Sequence, residues 1–285
     1  MADGARSDHP GVQAQLDRLS ALSPGGDRLG LERITALLAR LGNPQRRLPP
    51  VFHVAGTNGK GSTTAFLRAA MEAADKRVHV FTSPHLVRFN ERIRLADRLI
   101  KDDQLAVLLE EVLDASATIA PSFFEATAAA AFLAFARTPA DALVLEVGMG
   151  GRLDATNVVD RPAVTGIAAL GLDHQQWLGT TLAEIAGEKA GIAKAGVPLV
   201  TLAHVPEAAA RVRDVAAAHG APLLVQGQQW QSEIANGRLL YQDAQGSLDL
   251  PLPALPGAHQ ADNAALAIAM LRHQHAIELP GTALA

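Results

Sequence analysis

The stretch VFHVAGTNGKGSTTAFLRAA, residues 51–70, joins an apolar segment to an alanine-rich helical pattern through a loop of three glycines and a lysine. A strand that leads into a helix through such a loop presents backbone N–H groups and the positive end of the helix dipole to an anion. The common phosphate-binding pattern GxxxxGK[ST] is not met, because Val54 and Gly61 stand where it has Gly and Ser or Thr. The context nevertheless predicts a phosphate site with Lys60 as its point charge. An ordinary glycine-rich turn is the alternative.

The rest of the chain shows the alternation of strands and helices that is typical of a parallel sheet covered on both faces. The pattern therefore predicts an α/β fold with a mostly parallel sheet. Turn signals at Asn236-Gly237 and Gln245-Gly246 add a small antiparallel β excursion at about 227–253. The predicted strands are 51–55, 78–81, 142–148, 163–168, 197–200 and 221–225, and the predicted helices are 31–41, 62–74, 102–118, 123–137, 181–194, 206–219 and 259–275.

Composition excludes several classes of function. A net charge of −4 gives no basic face for nucleic acid, and the absence of Cys excludes disulfides, thiolate metal sites and a cysteine nucleophile. The first residues lack the apolar core of a signal peptide, and the longest apolar stretch, near 126–136, is too short to span a bilayer. We therefore expect a cytoplasmic protein without nucleic-acid or membrane partners.

Polar residues follow two further predicted strands, where a parallel sheet places its ligands. Ser83 follows the second strand, and its hydroxyl suits a hard cation such as Mg²⁺, although serine there is more often a turn residue. Glu146 ends a buried strand, where an unpaired charge would be costly. Mg²⁺ would supply the missing partner of Glu146; an ion pair with Arg152 is the alternative.

Two later segments are ambiguous by themselves. GLDHQQWLG, residues 171–179, places Asp173 and His174 after an apolar run, but a single histidine is usually structural or exposed. GEKAGI, residues 187–192, contains Lys189 within an alanine-rich helix, where a solvated lysine is the simpler interpretation.

The segments GTNGKGS, TSPHL, EVGMGGRLDATN, LDHQQWLG and GEKAGI, in this order, resemble folylpolyglutamate synthase and the bifunctional dihydrofolate synthase of the Mur ligase superfamily. LGLERITALLARLG and GAHQADNAALAIAML extend the resemblance over nearly the whole chain from about residue 16. The resemblance implies a P-loop-containing sheet of the Mur ligase central-domain type, and it explains the unusual loop, which this family spells GTNGKGS or GTNGKGT.

The resemblance also implies roles for individual residues. Lys60, Glu146, His174 and Lys189 would be catalytic, with Lys189 carbamylated so that its ammonium becomes a carboxylate that orders the metal site. Ser83, Glu146 and His174 would bind Mg²⁺. The implied ATP contacts are Thr57, Asn58, Gly59, Lys60, Gly61, Ser62 and Asn263, and the implied pterin-side contacts are Ser122, Phe123, Phe124, Glu125, Leu153, Asp154 and Ala155.

The implied reaction is ATP-dependent amide formation by a monomer. ATP phosphorylates a carboxylate of dihydropteroate, of a folate glutamyl tail, or of either, and the amine of L-glutamate then attacks the acyl phosphate. Another Mur-type ligase with a different carboxylate substrate is an alternative, but SFFEATA and TSPHL favour the folate branch. A nucleotide-binding module without catalysis of its own is the alternative from a different class.

The domain organisation implied by the resemblance is one ATP-binding domain over residues 1–285. Members of this family continue into a second, Rossmann-like domain that closes over the nucleotide and helps to bind glutamate. The sequence here ends at HAIELPGTALA. The expectation is therefore a chain without the C-terminal glutamate-ligase domain, as a truncated product, a fragment or a degenerate paralogue.

Overall fold

The computed structural model describes residues 5–22, 29–280 and 283. Within them, the first eight strands are β1 Val51–Ala55, β2 Val78–Phe81, β3 Ile93–Leu95, β4 Arg98–Leu99, β5 Ala142–Glu146, β6 Val164–Ile167, β7 Leu199–Thr201 and β8 Leu223–Val225. They form one sheet in the order β4-β3-β2-β5-β1-β6-β7-β8. Six of them run parallel to one another, namely β2, β5, β1, β6, β7 and β8, whereas β3 and β4 add an antiparallel edge beside β2.

Helices cover both faces of this sheet. Alternate residues of a strand point to opposite faces, and every residue of β1 and β5 is buried, so both faces need to be covered. The helices are α1 Pro10–Leu22, α2 Glu32–Arg40, α3 Lys60–Ala73, α4 Asp102–Ala115, α5 Phe123–Arg137, α6 Gln175–Leu178, α7 Leu182–Ala190, α8 Pro206–His219 and α9 His259–Arg272. In β5, Leu143 packs in a core with α1, α2, α4 and α5, whereas Val144 packs in a core with α3 and α9. A third core lies between the sheet and helices α7 and α8.

A separate antiparallel sheet of three strands follows β8, in the order β11-β10-β9. Its strands are β9 Trp230–Ala235, β10 Arg238–Asp243 and β11 Gly246–Pro251. Asn236 and Gly237 both have positive φ, which suits the tight hairpin turn predicted for them. The sheet is joined to α9 by an ion pair in which Arg272 Nη2 lies 2.6 Å from Asp243 Oδ1.

The predicted fold class is confirmed: a mostly parallel sheet with helices on both faces and a small antiparallel sheet. Several details differ from the sequence prediction. Helices α1 and α6 were not predicted. Helix α3 begins at Lys60 rather than at residue 62, since the loop closes directly onto the helix. Strands β3 and β4 were not predicted, because their segment of the sequence contains no apolar run.

Among the residues that the structure describes, no helix has both the length and the apolar character needed to cross a bilayer.

Candidate active site

The strand order brings four segments to one edge of the sheet. Strands β2, β5, β1 and β6 are consecutive neighbours, so their carboxyl ends lie side by side. Ser83 follows β2, Glu146 ends β5, the glycine loop Gly56–Gly59 follows β1, and His174 lies in the segment after β6. These residues are far apart in the sequence, and the parallel topology alone places them along one edge.

Gly59 shapes the glycine loop Gly56–Gly59, which is the predicted phosphate loop. It has φ of +85°, and a Cβ atom at this position would collide with the side chain of Asn263. Asn263 is buried, and its Nδ2 donates to Gln260 Oε1 over 3.0 Å. Thr63 N donates to Gly59 O over 2.8 Å as the loop turns into α3. The first N–H groups of α3 have no acceptor within the helix, so this end of the helix is suited to an anion.

Thr57 and Asn58 connect the loop to the neighbouring segment. Their N–H groups both donate to the carbonyl oxygen of Ala169, over 2.9 and 3.1 Å. The Thr57 hydroxyl donates to Gly171 O over 3.0 Å and accepts from Gly171 N over 3.1 Å. The backbone N–H groups of these two residues are therefore engaged within the protein, which leaves the N-terminus of α3 as the anion-binding part of the loop.

Glu146 is a buried carboxylate beside the start of α3. Its side chain accepts a hydrogen bond from the Ser83 N–H group, and the charge of Lys60 also acts on it. Burial outweighs both effects and raises the pKa of Glu146 to about 7. The alternative pairing with Arg152 is wrong, because Arg152 Nη2 lies 2.9 Å from Glu188 Oε1 instead. No described Lys, Arg or His forms an ion pair with Glu146.

Lys189 is buried rather than solvated. Its side chain reaches from α7 to the phosphate loop, where Nζ donates to the carbonyl oxygen of Gly56 over 2.9 Å. Burial lowers the pKa of Lys189 to about 8, and the nearby charge of Lys60 acts in the same direction. The interpretation as an ordinary exposed helix lysine is therefore wrong. A lysine whose amine is substantially neutral near pH 8 is poised to act as a nucleophile.

His174 stands apart from Glu146 in its contacts. Its backbone is left-handed, with φ of 46°, its side chain is 46% exposed, and Nε2 lies 3.5 Å from Asp173 Oδ2. Across the described residues, no three His, Asp or Glu side chains are grouped closely enough to hold a metal ion. The structure therefore brings Ser83 and Glu146 together, and it shows the predicted third ligand, His174, paired with Asp173.

The first group of predicted pterin-side residues lies at the N-terminus of α5. Ser122 caps the helix: its Oγ accepts from Glu125 N over 3.1 Å, and Glu125 Oε2 accepts from Ser122 N over 2.6 Å. Glu125 also forms an ion pair with Arg33 Nε over 3.0 Å. Phe123 is buried, whereas the partly exposed ring of Phe124 covers Gly148 so closely that no side chain would fit there.

The second group lies in the loop after Glu146. Asp154 is buried, and its carboxylate accepts hydrogen bonds from the N–H groups of Met149 and Thr156, each over 2.9 Å, and from the Thr156 hydroxyl. Leu153 is partly exposed and Ala155 is buried. Asp154 thus holds the loop together, in addition to any contact with a ligand.

Sequence reasoning missed the histidine behind this loop. His53 Nε2 lies 2.8 Å from the Thr156 hydroxyl, and the histidine is completely buried in the central strand. One feature of the sequence could have identified His53: it is the one polar residue of the apolar strand VFHVA, and a polar side chain is unusual in the middle of a parallel sheet.

Comparisons with known proteins agree with this geometry. The family model of the Mur ligase middle domain matches residues 54–271. The chain is 41% identical over 264 residues to the dihydrofolate synthase/folylpolyglutamate synthase of Bacillus subtilis and 40% identical over 245 residues to that of Escherichia coli. These alignments cover 85% and 86% of this chain but 59% and 56% of those proteins, so the chain spans less than two thirds of their length.

Solved structures show the same fold. FolC of Escherichia coli in complex with DHPP and ADP superposes with a TM-score of 0.88 at 36% identity, covering 100% of this chain and 65% of that one. A bifunctional folylpolyglutamate synthase/dihydrofolate synthase with Mn, AMPPNP and L-glutamate bound superposes with a TM-score of 0.85 at 34% identity, with coverage of 100% and 65%. Since the family model covers most of the chain, the protein belongs to the Mur ligase family through its middle domain.

Proposed function

We propose that this chain binds ATP with a divalent metal at the carboxyl edge of its sheet and supports ATP-dependent ligation of L-glutamate. The acceptor would be dihydropteroate, the glutamyl tail of (tetrahydro)folates, or both. One observation carries the proposal: among the described residues no ion pair is formed with the buried carboxylate of Glu146, which lies beside the N-terminus of α3, where an anion is favoured. The similar structures that contain ADP, or AMPPNP with Mn and L-glutamate, support it.

The residues present fit a Mg²⁺ ion. Glu146 offers a carboxylate and Ser83 a hydroxyl, and hard oxygen ligands are those that Mg²⁺ prefers. A buried carboxylate whose pKa is raised by burial despite the nearby charge of Lys60 is the kind of group that a metal stabilises. We propose Ser83, Glu146 and His174 as the ligands. When bound, Mg²⁺ would neutralise charge on the phosphate oxygens of ATP.

The protein's own groups would act on the phosphates. The N–H groups of Gly59, Lys60, Gly61 and Ser62 would hold phosphate oxygens, and the ammonium of Lys60 would stabilise charge on the transferring phosphoryl group. Asn263, held against Gly59, would contact the nucleotide from α9. Thr57 and Asn58 would contribute mainly by fixing the loop to Ala169.

The chemistry would proceed in two steps without a protein nucleophile. A carboxylate oxygen of the acceptor attacks the γ-phosphorus of ATP, so that ADP leaves and an acyl phosphate forms. The glutamate amine then attacks the acyl carbon, a C–N bond forms, the amine loses a proton, and phosphate leaves. Lys189, carbamylated on its buried amine, would order the metal site, and Ser122, Phe123, Phe124, Glu125, Leu153, Asp154 and Ala155 would line the pterin side.

We further propose that residues 1–285 form one ATP-binding domain of the Mur type. The sheet β9–β11 would be an insertion between β8 and α9 that packs into the core shared by the parallel sheet and α9, through Trp230, Leu239, Tyr241 and Leu250.

The test is a two-readout assay on the purified 285-residue chain. The chain is incubated with ATP, Mg²⁺, labelled L-glutamate and either dihydropteroate or tetrahydrofolate, and both ADP and labelled amide are measured. Acceptor-dependent ADP release together with labelled amide would support the proposal and identify the acceptor. ADP release without amide would restrict the activity to phosphoryl transfer. No acceptor-dependent ADP release would contradict the proposal.

A further inference from the structure

A hydrogen-bonded chain connects the central strand to the loop that follows Glu146. It begins at His53 in β1, passes through the Thr156 hydroxyl, and ends at the Asp154 carboxylate. All three side chains are buried, with exposed fractions of 0%, 0% and 4%. A buried polar group costs free energy unless it is hydrogen-bonded, so each link constrains the next.

The proton positions along this chain follow from the number of donors. Each oxygen of Asp154 accepts a backbone N–H group, from Thr156 at Oδ1 and from Met149 at Oδ2, which is the pattern of an ionised carboxylate. The one hydrogen of the Thr156 hydroxyl is then donated to Asp154. His53 must therefore donate from Nε2. Its Nδ1 carries the lone pair and has no hydrogen-bond partner among the residues that the structure describes.

This hydrogen-bonded chain ends at Asp154, whose contacts fix the geometry of the candidate active site. Asp154 ties Met149 to Thr156, and so closes the loop that begins directly after Glu146. The same loop lies against the C-terminal end of α7, where Arg152 N donates to Glu188 O over 2.8 Å. The Asp154 charge also acts on Glu146 and on Lys189, where it favours the protonated form of each and, at Lys189, partly opposes the lowering of the pKa by burial.

We propose that His53 is a positioning residue of the candidate active site. From the rigid central strand, its Nε2–H group fixes the Thr156 hydroxyl, which fixes the Asp154 carboxylate and the loop between Glu146 and α7. His53 has no exposed surface and so contacts no substrate; it acts through Thr156. For its catalytic consequence this inference rests on the proposed function, whereas its structural consequences are measurable without activity.

The first test reads the tautomer directly. Long-range ¹H–¹⁵N NMR of the histidine-labelled 285-residue chain should show His53 protonated at Nε2 and unprotonated at Nδ1. Protonation at Nδ1 would overturn the inference, because Thr156 would then have no donor from the central strand.

The second test measures amide hydrogen exchange of Met149 and Thr156. His53→Leu and Thr156→Val should each accelerate exchange of both amides roughly 5-fold, the scale of one lost net hydrogen bond. His53→Gln, which keeps a donor near Nε2, should restore the wild-type rates. His53 and Thr156 act in the same hydrogen-bonded chain. The double variant His53→Leu/Thr156→Val should therefore exchange the two amides no faster than either single variant.

A matched control separates this effect from general destabilisation. His79 is also a completely buried histidine of the sheet, but its ring bonds to Thr138 O and Ala96 N, away from the loop. His79→Leu should lower the melting temperature without selective acceleration at Met149. If His79→Leu and His53→Leu affect Met149 equally, or if neither does, the inference is wrong.

The activity readout distinguishes this inference from the proposed function. If the wild-type chain shows acceptor-dependent ADP release, His53→Leu should lower kcat about 10-fold, as loss of an outer-shell hydrogen bond commonly does. The Kd for Mg²⁺-ATP should stay within about 2-fold. A wild-type chain without ADP release contradicts the proposed function, and the tautomer and exchange measurements then still decide the role of His53.

Discussion

The side-chain nitrogen of Lys189 lies 2.9 Å from the carbonyl oxygen of Gly56, the first residue of the phosphate loop. This contact joins a helix that follows β6 to the loop that follows β1, and it buries the lysine almost completely. The loop therefore has two cationic neighbours of different character: Lys60, partly exposed at the start of α3, and Lys189, buried beneath the loop.

Lys60 should carry a measurable part of the ATP affinity. Lys60→Ala removes a charge-assisted contact to phosphate, and we expect a loss of about 1.5–3 kcal/mol, or roughly 10- to 150-fold in Kd. Isothermal calorimetry with Mg²⁺-ATP measures this. Lys101→Ala is the control, because Lys101 is an exposed lysine that precedes α4. Equal affinities of the wild type and Lys60→Ala would show that Lys60 does not contact the nucleotide.

Gly59 should not tolerate a side chain. Gly59→Ala adds the cost of a left-handed non-glycine residue, about 1–2 kcal/mol, to a collision with Asn263. Gly42 provides a matched control: its φ is +76°, but no atom lies within 4 Å of a Cβ placed there. We expect Gly42→Ala to lose only stability in urea unfolding. Gly59→Ala should also lose ATP binding, and intact binding by this variant would contradict the described loop.

Glu146 should be required for the divalent metal. Crystals soaked with Mn²⁺ should show an anomalous peak beside Glu146 and Ser83, and Glu146→Gln should abolish it because the amide lacks the charge. Glu188→Gln is the control, since that carboxylate pairs with Arg152. A peak that persists in Glu146→Gln, or that lies elsewhere in the wild type, would refute the proposed ligands. The same anomalous map shows whether His174 is a metal ligand together with Ser83 and Glu146.

Lys189 should form a carbamate with CO₂. Its pKa of about 8 leaves a large fraction of the amine neutral at pH 8, and only the neutral amine reacts. ¹³C NMR in labelled bicarbonate should show a carbamate signal that is absent from Lys189→Met and present in Lys101→Ala. A spectrum without that signal at pH 8 would leave Lys189 as a structural amine bonded to Gly56.

His53 should make the protein sensitive to acid. Burial lowers the pKa of His53 from 6.5 to about 3, so below pH 6.5 the unfolded chain binds a proton that the folded protein excludes. The stabilising effect of neutral His53 is complete above pH 6.5 and decreases as the pH falls towards 3. Between pH 7 and 4 the wild type should lose about 3 kcal/mol more than His53→Gln. Urea unfolding at pH 7 and pH 4 measures this for both proteins. An equal loss of unfolding free energy in the wild type and in His53→Gln would contradict the prediction.

The sequence predicted which segments meet at the carboxyl edge of the sheet, because the rule that governs their meeting is topological. Parallel strands must end at the same edge, so the residues that follow β1, β2, β5 and β6 were expected together before any contact was known. The fold class was confirmed for the same reason, since alternating apolar segments and helical patterns leave few other architectures. The roles of the individual site residues stay predictions.

The contacts between segments could not be predicted. The periodicity around Lys189 is the same for a solvated and a buried lysine, and only packing against the loop decides between them. The link from His53 to Thr156 joins residues 103 positions apart, and no local pattern reports such a pair. The antiparallel edge β3–β4 was missed because its strands are two and three residues long and contain arginines.

The central position of β1 has a consequence for synthesis on the ribosome. Val51 pairs with Leu143 of β5 and Phe52 with Val164 of β6, so the strand that carries the phosphate loop emerges long before either neighbour. Gly59 meets Asn263 only once α9 has been translated. Non-local pairing of this kind folds slowly and leaves apolar strands exposed in the nascent chain. The segment VFHVA therefore stays without its two strand partners until residues 142–167 have also been synthesised.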